Sequence, residues 1–256
     1  MDRLIYTSLA GITERRPQRQ AQSNDLANVS TVGFKKSFDQ ALISVKTRGD
    51  GYDTRVQPQA RTTDQINLAP GPRMVTNKAL DIAMDNKTVM GVQAPNGELA
   101  FTRRGDLRIN NSGILENGQG HIILSEDSEP ISVPLGFKIE ITRDGNVTAT
   151  DTDAVGVAPP IPLAQILIRE AKDAFLVRRE DGLFKAIGDD VGANGDFESG
   201  EIVPSVTAGV LEGSNVNPIR AMIALIEHQR DFEEQIKFIK EAKTIDESGN
   251  TMMKPS

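Results

Sequence analysis

The sequence predicts a mixed fold: an all-β central body, a small barrel or sandwich, flanked by N- and C-terminal α-helices that pair in a coiled-coil-like inner layer. Three observations carry this prediction. Residues 2–28 place Ile5, Leu9 and Ile12, and residues 217–245 place Met222, Leu225, Phe232, Ile236 and Ile239, in the alternating three-and-four spacing of a helical seam. Between these ends, apolar runs of strand length alternate with turns such as Asn96-Gly97, Ser112-Gly113 and Asp144-Gly145. The C-terminal seam would also span about 42 Å at 1.5 Å per residue, long for a helix that only covers a small β domain.

The chain divides into five stretches: an N-terminal helix over 1–36, an extended connector over 37–78, a β-rich body over 79–208, a C-terminal helix over 209–246 and a flexible tail over 247–256. In the first, the Asp2 carboxylate can cap free backbone donors, and Pro17 is expected to break the hydrogen-bond ladder. Beyond Pro17 the seam offers Arg16, Arg19, Ser23 and Leu26, so this half has few apolar contacts and is expected to be disordered in the free monomer. Asn28 and Gly33 tolerate left-handed backbone where the helix ends, and Phe34 supplies an anchor just beyond.

The connector is polar and rich in Gly and Pro, with only short strands expected. The body reads as strands at Leu80–Met84, Val89–Ala94, Leu99–Arg103, Leu107–Ile109, Ile114–Leu115, Ile122–Leu124 and Lys138–Ile141. Ile166-Leu167-Ile168 and Phe175-Leu176-Val177 read as buried strands on either side of Asp173. For the closing helix, Asn217 is a good N-cap and Pro218 suits the first helical position.

Composition narrows the function. Hydrophobic residues make up 38%, aromatics 4%, and Trp is absent, so the apolar material is thin for a compact enzyme, and part of the chain is expected to await a partner. The net charge of −7, without cationic clusters, argues against binding nucleic acid or an anionic membrane. The absence of Cys excludes disulfides, thiolate metal sites and a cysteine nucleophile. No window has the length of a membrane span, and Glu14, Arg15, Arg16 and Pro17 interrupt any secretory signal core.

Two hidden chemistries are open to test. Residues 190–201 place oxygen ligands at loop positions one, five, nine and twelve and glycine at six, as an EF-hand does, but glycine replaces the ligand at position three. A hydrolase would need convergent groups, whereas His121 and His228 lack ligand-spaced partners, and Asp81 and Asp85 lack a matching acid. The expectation is therefore a non-enzyme with no catalytic residue, cofactor or metal.

The placed segments resemble the flagellar rod and hook family of bacteria, and within it the proximal-rod branch. Met1-Asp2-Arg3-Leu4-Ile5-Tyr6 is similar to the opening of that branch, and Asn24-Asp25-Leu26-Ala27-Asn28-Val29-Ser30-Thr31-Val32-Gly33-Phe34-Lys35 resembles the signature closing the first helix. Leu80-Asp81-Ile82-Ala83-Met84, Phe101-Thr102-Arg103-Arg104-Gly105 and Gly113-Ile114-Leu115 resemble the start of the family's β domain. Leu211-Glu212-Gly213-Ser214-Asn215-Val216-Asn217, with Met222, Ile226, Arg230 and Phe232, resembles its closing helix. Two departures stand out: Asn86-Lys87-Thr88-Val89-Met90 replaces a glycine-and-phenylalanine turn, and Pro17 lies in a helix that is normally continuous.

The resemblance implies a structural subunit of the basal-body proximal rod, with a distal-rod or hook subunit as the alternative. It implies export unfolded through the flagellar type III apparatus without a cleaved signal peptide, and assembly in the periplasm into the axial shaft that carries motor torque to the hook. The partners implied are other rod subunits and copies of the chain itself, with no nucleic acid, no small-molecule substrate and no direct membrane insertion. The expected assembly interface comprises Ile5, Leu9, Ile12, Leu26, Asn28, Phe34, Leu211, Met222, Leu225, Ile226, Phe232, Ile236 and Ile239. Charge supports pairing of the ends: residues 1–36 hold six Lys and Arg against three Asp and Glu, and residues 209–246 five against seven. Gly33, Ser214, Asn215 and Asn217 are expected to serve as bends and caps.

Overall fold

The computed structural model describes residues 2–38, 41–46, 56–61, 65–134, 136–151 and 159–252. The chain divides into two compact units: residues 1–27, 38–63 and 217–256 form one, and residues 28–37 and 64–216 the other.

In the first unit, helix α1 (Asp2–Ala27) and helix α2 (Pro218–Met252) pack together, and strands β1 (Ala41–Lys46) and β2 (Val56–Arg61) form an antiparallel hairpin. Contrary to the expected break, α1 runs through Pro17 without interruption. The missing Pro17 N–H costs one bond to the Thr13 carbonyl. Ile12, Arg15 and Arg19, on either side of it, lie on the side of α1 that meets α2, where Arg15 Nη1 stands 2.6 Å from Asp231 Oδ2. At the start of α2, Asn217 Oδ1 accepts from the Arg220 N–H at 3.1 Å, the capping bond that its position predicts. The helix continues past Ile245 to Met252, beyond its expected end.

In the second unit, β3 (Arg73–Val75) lies within the expected connector, and β4 (Ile82–Met84), β5 (Thr88–Gln93), β6 (Leu99–Thr102), β7 (Leu107–Ile109), β8 (Leu115–Asn117) and β9 (Ile122–Ile123) fall on the expected strand segments, though they do not pair as a simple meander. Then come β10 (Phe137–Ile141), β11 (Asn146–Asp151), β12 (Ile161–Gln165), β13 (Ile168–Glu170), β14 (Phe175–Arg178), β15 (Phe184–Ile187), β16 (Val206–Ala208) and β17 (Val210–Glu212). The main sheet runs β14-β15-β6-β5-β9-β8-β7, with β13 also paired to β5; β10-β11-β12 form a separate sheet. Two-stranded pairs β16-β4 and β17-β3 complete the unit.

This sheet does not close into a barrel among the described residues. The outer edge of β14 is taken by the incoming chain, where Ile66 N–H donates to Leu176 O at 2.9 Å, and β7 is met by Leu80 and Asp81. Strand β5 is buried on both faces because successive side chains alternate. Met90 and Val92 join one core with Ile82, Leu115, Ile123 and Ile166, whereas Val89 joins another with Phe101, Leu176 and Phe197. Ile66 and Leu68, within the expected connector, are part of that second core. Phe175, expected inside, is 40% exposed, while Leu176 beside it is buried. At the unusual turn before β5, Asn86 adopts φ 48°, supplying the left-handed conformation that a glycine would otherwise provide.

Candidate functional site

The residues expected to make assembly contacts fall into two groups. On the helices, Ile12 and Leu26 of α1 and Leu225, Ile236 and Ile239 of α2 are half-buried, and Ala242 is fully buried. Arg15 Nη1 meets Asp231 Oδ2 at 2.6 Å, linking the two helices by an ion pair of the predicted polarity. Around it, Ile12, Arg15, Arg16, Arg19, His228 and Phe232 line a cavity of about 380 Å³. The side chain of Ile5 lies outside the described residues.

Other positions are exposed, Phe232 among them although it lines that cavity. Leu9, Met222, Ile226 and Phe232 are exposed, and so are Ile219 and Ile223, which the seam reading did not select. Ile219, Met222, Ile223 and Ile226 stand at spacings of three, four and seven, a contiguous apolar stripe on one side of α2. Helix α2 therefore carries two apolar faces, one toward α1 and one outward.

The remaining positions, Asn28, Phe34 and Leu211, belong to the second unit, where the two signature segments meet. Gly33 N–H donates to Glu212 O at 2.7 Å, and Gly33 adopts φ 69°. A side chain there would place its Cβ 2.4 Å from Arg103 O, so glycine is required both by conformation and by space. Asn28 turns the chain by accepting from Thr31 Oγ1 at 3.1 Å. Phe34 lies under the Arg178 guanidinium, 4.4 Å from its ring centroid, while Arg178 also donates to Lys35 O. Leu211 is half-buried in β17, paired opposite Met74.

At the centre is a buried charge cluster. Glu212 Oε1 accepts from Lys35 Nζ at 2.7 Å and from Gly71 N–H at 2.9 Å, and Oε2 accepts from Arg103 Nε at 2.8 Å. Lys35 also donates to Ala69 O, and Arg103 to the carbonyls of Met84, Asn86 and Thr88. Asn215 completes the join: its Oδ1 accepts from Lys36 N–H at 2.8 Å and its Nδ2 donates to Asn67 O at 2.8 Å. Three charged side chains, of types mostly found at protein surfaces, thus lie inside, joining residues 33–36, 67–71, 103 and 212–215. The available signal was their position within the quoted signatures.

Burial, and then the positive charge of Arg103, lower the Lys35 pKa to about 8 from 10.5, with Glu212 acting in the opposite direction. The same desolvation lowers Arg103. Because the folded Lys35 value lies below the unfolded one, the unfolded chain binds more protons between pH 8 and 10.5, and this group makes stability rise with pH across that window. Urea unfolding across it should therefore show a more positive slope of stability against pH in the wild type than in Lys35→Met. Equal slopes would contradict the shift.

The alternative chemistries gain no geometry. In the 190–201 loop, Asp196 is engaged by Arg169 at 2.9 Å, and Asn194 Oδ1 accepts from the Asp196 N–H. No group of three or more metal-binding side chains converges among the described residues. His121 Nδ1 stands 3.3 Å from Asn117 Nδ2, with its pKa lowered by burial, and His228 lies beside α1. Asp85 is held by Arg73, Ser205 and Thr207, and Asp81 is buried. No helix is long and apolar enough to cross a membrane among the described residues.

Comparison with known proteins fits this arrangement. A family described as flagellar basal body rod FlgEFG protein C-terminal matches residues 207–252, and one described as flagellar hook protein FlgE/F/G D1 domain matches residues 83–149. The first match contains Glu212 and α2; the second contains Arg103. The chain is 32% identical over 242 residues to the flagellar basal-body rod protein FlgF of Salmonella typhimurium, covering 93% of each chain. It is 32% identical over 240 residues to FlgF of Escherichia coli, again covering 93% of each. Against the basal-body rod protein FlgG of Borreliella burgdorferi the identity is 26% over 260 residues, covering 94% of each. Buried junction, terminal helices and end-to-end likeness agree: the chain belongs to the flagellar basal-body rod protein family, close to FlgF.

Proposed function

We propose that this structural subunit of the flagellar basal-body rod occupies the proximal rod, where it joins copies of itself and other rod subunits in the shaft that carries torque to the hook. The observation that carries the assembly reading is the outward stripe of Ile219, Met222, Ile223 and Ile226 on α2. Exposed apolar side chains in register along a helix are costly in water and gain by burial against a neighbour. The higher identity to FlgF than to FlgG favours the proximal over the distal position.

In this reading the terminal helices form a coiled-coil-like inner layer, and Ile5, Leu9, Ile12, Leu26, Met222, Leu225, Ile226, Phe232, Ile236 and Ile239 divide between pairing within the subunit and contacts with neighbours. Asn28, Phe34 and Leu211 contribute by shaping the junction of the body. Helices that order only on assembly can pass the type III export channel unfolded, without a cleaved signal peptide, and then fold in the periplasm as burial offsets the ordering entropy. The role is structural, with no catalytic step.

The test is the double variant Ile223→Asp, Ile226→Asp, expressed in cells lacking the wild-type chain. It should be exported and keep the β-body circular dichroism signal, yet leave the cells without completed rods and unable to swim. Normal rods and swimming would contradict an assembly role for this face.

A further inference from the structure

A second surface feature lies on the β body, in a cavity of about 600 Å³ beside β13 and β14. Its walls include four carboxylate residues, Glu170, Asp173, Asp190 and Glu198, and no Lys, Arg or His lines it among the described residues. Glu170 is 2% exposed, and its Oε2 is buried without a hydrogen-bond partner among the described residues. Oε2 lies against Gly200, another wall residue, at which a Cβ would come within 2.0 Å of it. This contrasts with Asp196 in the adjoining loop, which Arg169 neutralises. A buried carboxylate oxygen without a partner is costly, and a lining of one charge sign favours an opposite charge from outside.

We propose that this cavity receives an arginine side chain presented by a neighbouring protein, with Glu170 as its principal acceptor. The carboxylates are too dispersed for one ion, since no three metal-binding side chains converge among the described residues. A planar guanidinium with five donors spans a wider set of acceptors than a point charge and stacks on an aromatic face. The exposed ring of Phe175 and the exposed side chain of Ile187 supply apolar surface for the ring face and the aliphatic stem. The body already uses this pairing at Arg178 over Phe34. The site goes beyond the helical assembly face and does not depend on the chain's position along the rod.

The experiment titrates N-acetyl-L-arginine amide into the full chain and follows the Ile187 methyl resonance, with calcium chloride as a control. The arginine probe should produce a saturable shift, weakened roughly tenfold or more in Glu170→Gln, the loss expected when a charge-assisted hydrogen bond is removed. Absence of a saturable shift, equal affinity in the variant, or saturation by calcium instead would overturn the proposal.

Discussion

Glu212→Ala should destabilise the β body by about 3–5 kcal/mol, the range for removing one partner from a buried ion pair. Glu212 bridges Lys35 and Arg103, and its two carboxylate oxygens accept from both cations and from Gly71 N–H. Removing it leaves two buried cations facing each other with only backbone carbonyls as acceptors. Such a loss is a large fraction of the roughly 5–15 kcal/mol that holds a typical domain. Glu212→Gln keeps the shape and one acceptor, so it should fall between wild type and alanine. The measurement is the urea midpoint of the full chain, followed by body circular dichroism. A loss below about 1 kcal/mol for Glu212→Ala would mean that solvent reaches the cluster and screens it.

Gly33→Ala should cost about 2–5 kcal/mol, combining the left-handed backbone penalty with overpacking. The obstacle is the backbone of Arg103 and Arg104, with Arg103 O at 2.4 Å and Arg104 N at 2.5 Å from the new Cβ, so no side-chain rotation relieves it. The segment must move away, breaking the 2.7 Å bond from Gly33 N–H to Glu212 O and loosening the Lys35 contact that follows. Hydrogen exchange should then rise at Gly33, Lys36 and Asn215 together. Gly97→Ala is the matching control: Gly97 also has positive φ, 83°, but nothing lies within 4 Å of the added Cβ, so only the conformational penalty of about 1–2 kcal/mol applies. Equal losses for the two variants would remove the close-approach explanation.

What the sequence disclosed follows the range of the interactions involved. Strands such as Leu107–Ile109 and Leu115–Asn117 were legible because their turn chemistry is local: Asn110 Oδ1 accepts from the N–H groups of Ser112 and Ile114. The Asn217 cap was legible for the same reason. The hairpin partner Val56–Arg61 was obscured because VQPQAR has Pro58 at its centre and only Val56 and Ala60 beside it as apolar residues, so its pairing is set by Ala41–Lys46. The continuity of α1 through Pro17 was not legible because the missing N–H is a local cost, whereas the contacts of α1 with α2 join segments about 200 residues apart.

The candidate site was only partly legible. A seam pattern in α2 cannot separate a face toward α1 from a face toward solvent when apolar residues occupy both. Met222 and Leu225 were therefore grouped together although one is exposed and the other half-buried. The cluster of Lys35, Arg103 and Glu212 depends on pairings 109 and 177 residues apart, beyond the reach of any periodicity. What a sequence does carry of it is Gly33, whose left-handed conformation marks the close approach.

The most direct measurement is a side-chain-resolution structure of the purified basal body, tracing α2 and its neighbours in the rod. Ile219, Met222, Ile223 and Ile226 should be covered by side chains of adjacent subunits, while Leu225, Ile236 and Ile239 lie against α1 of the same chain. A rod in which that stripe faces solvent, or from which this chain is missing, would contradict this arrangement.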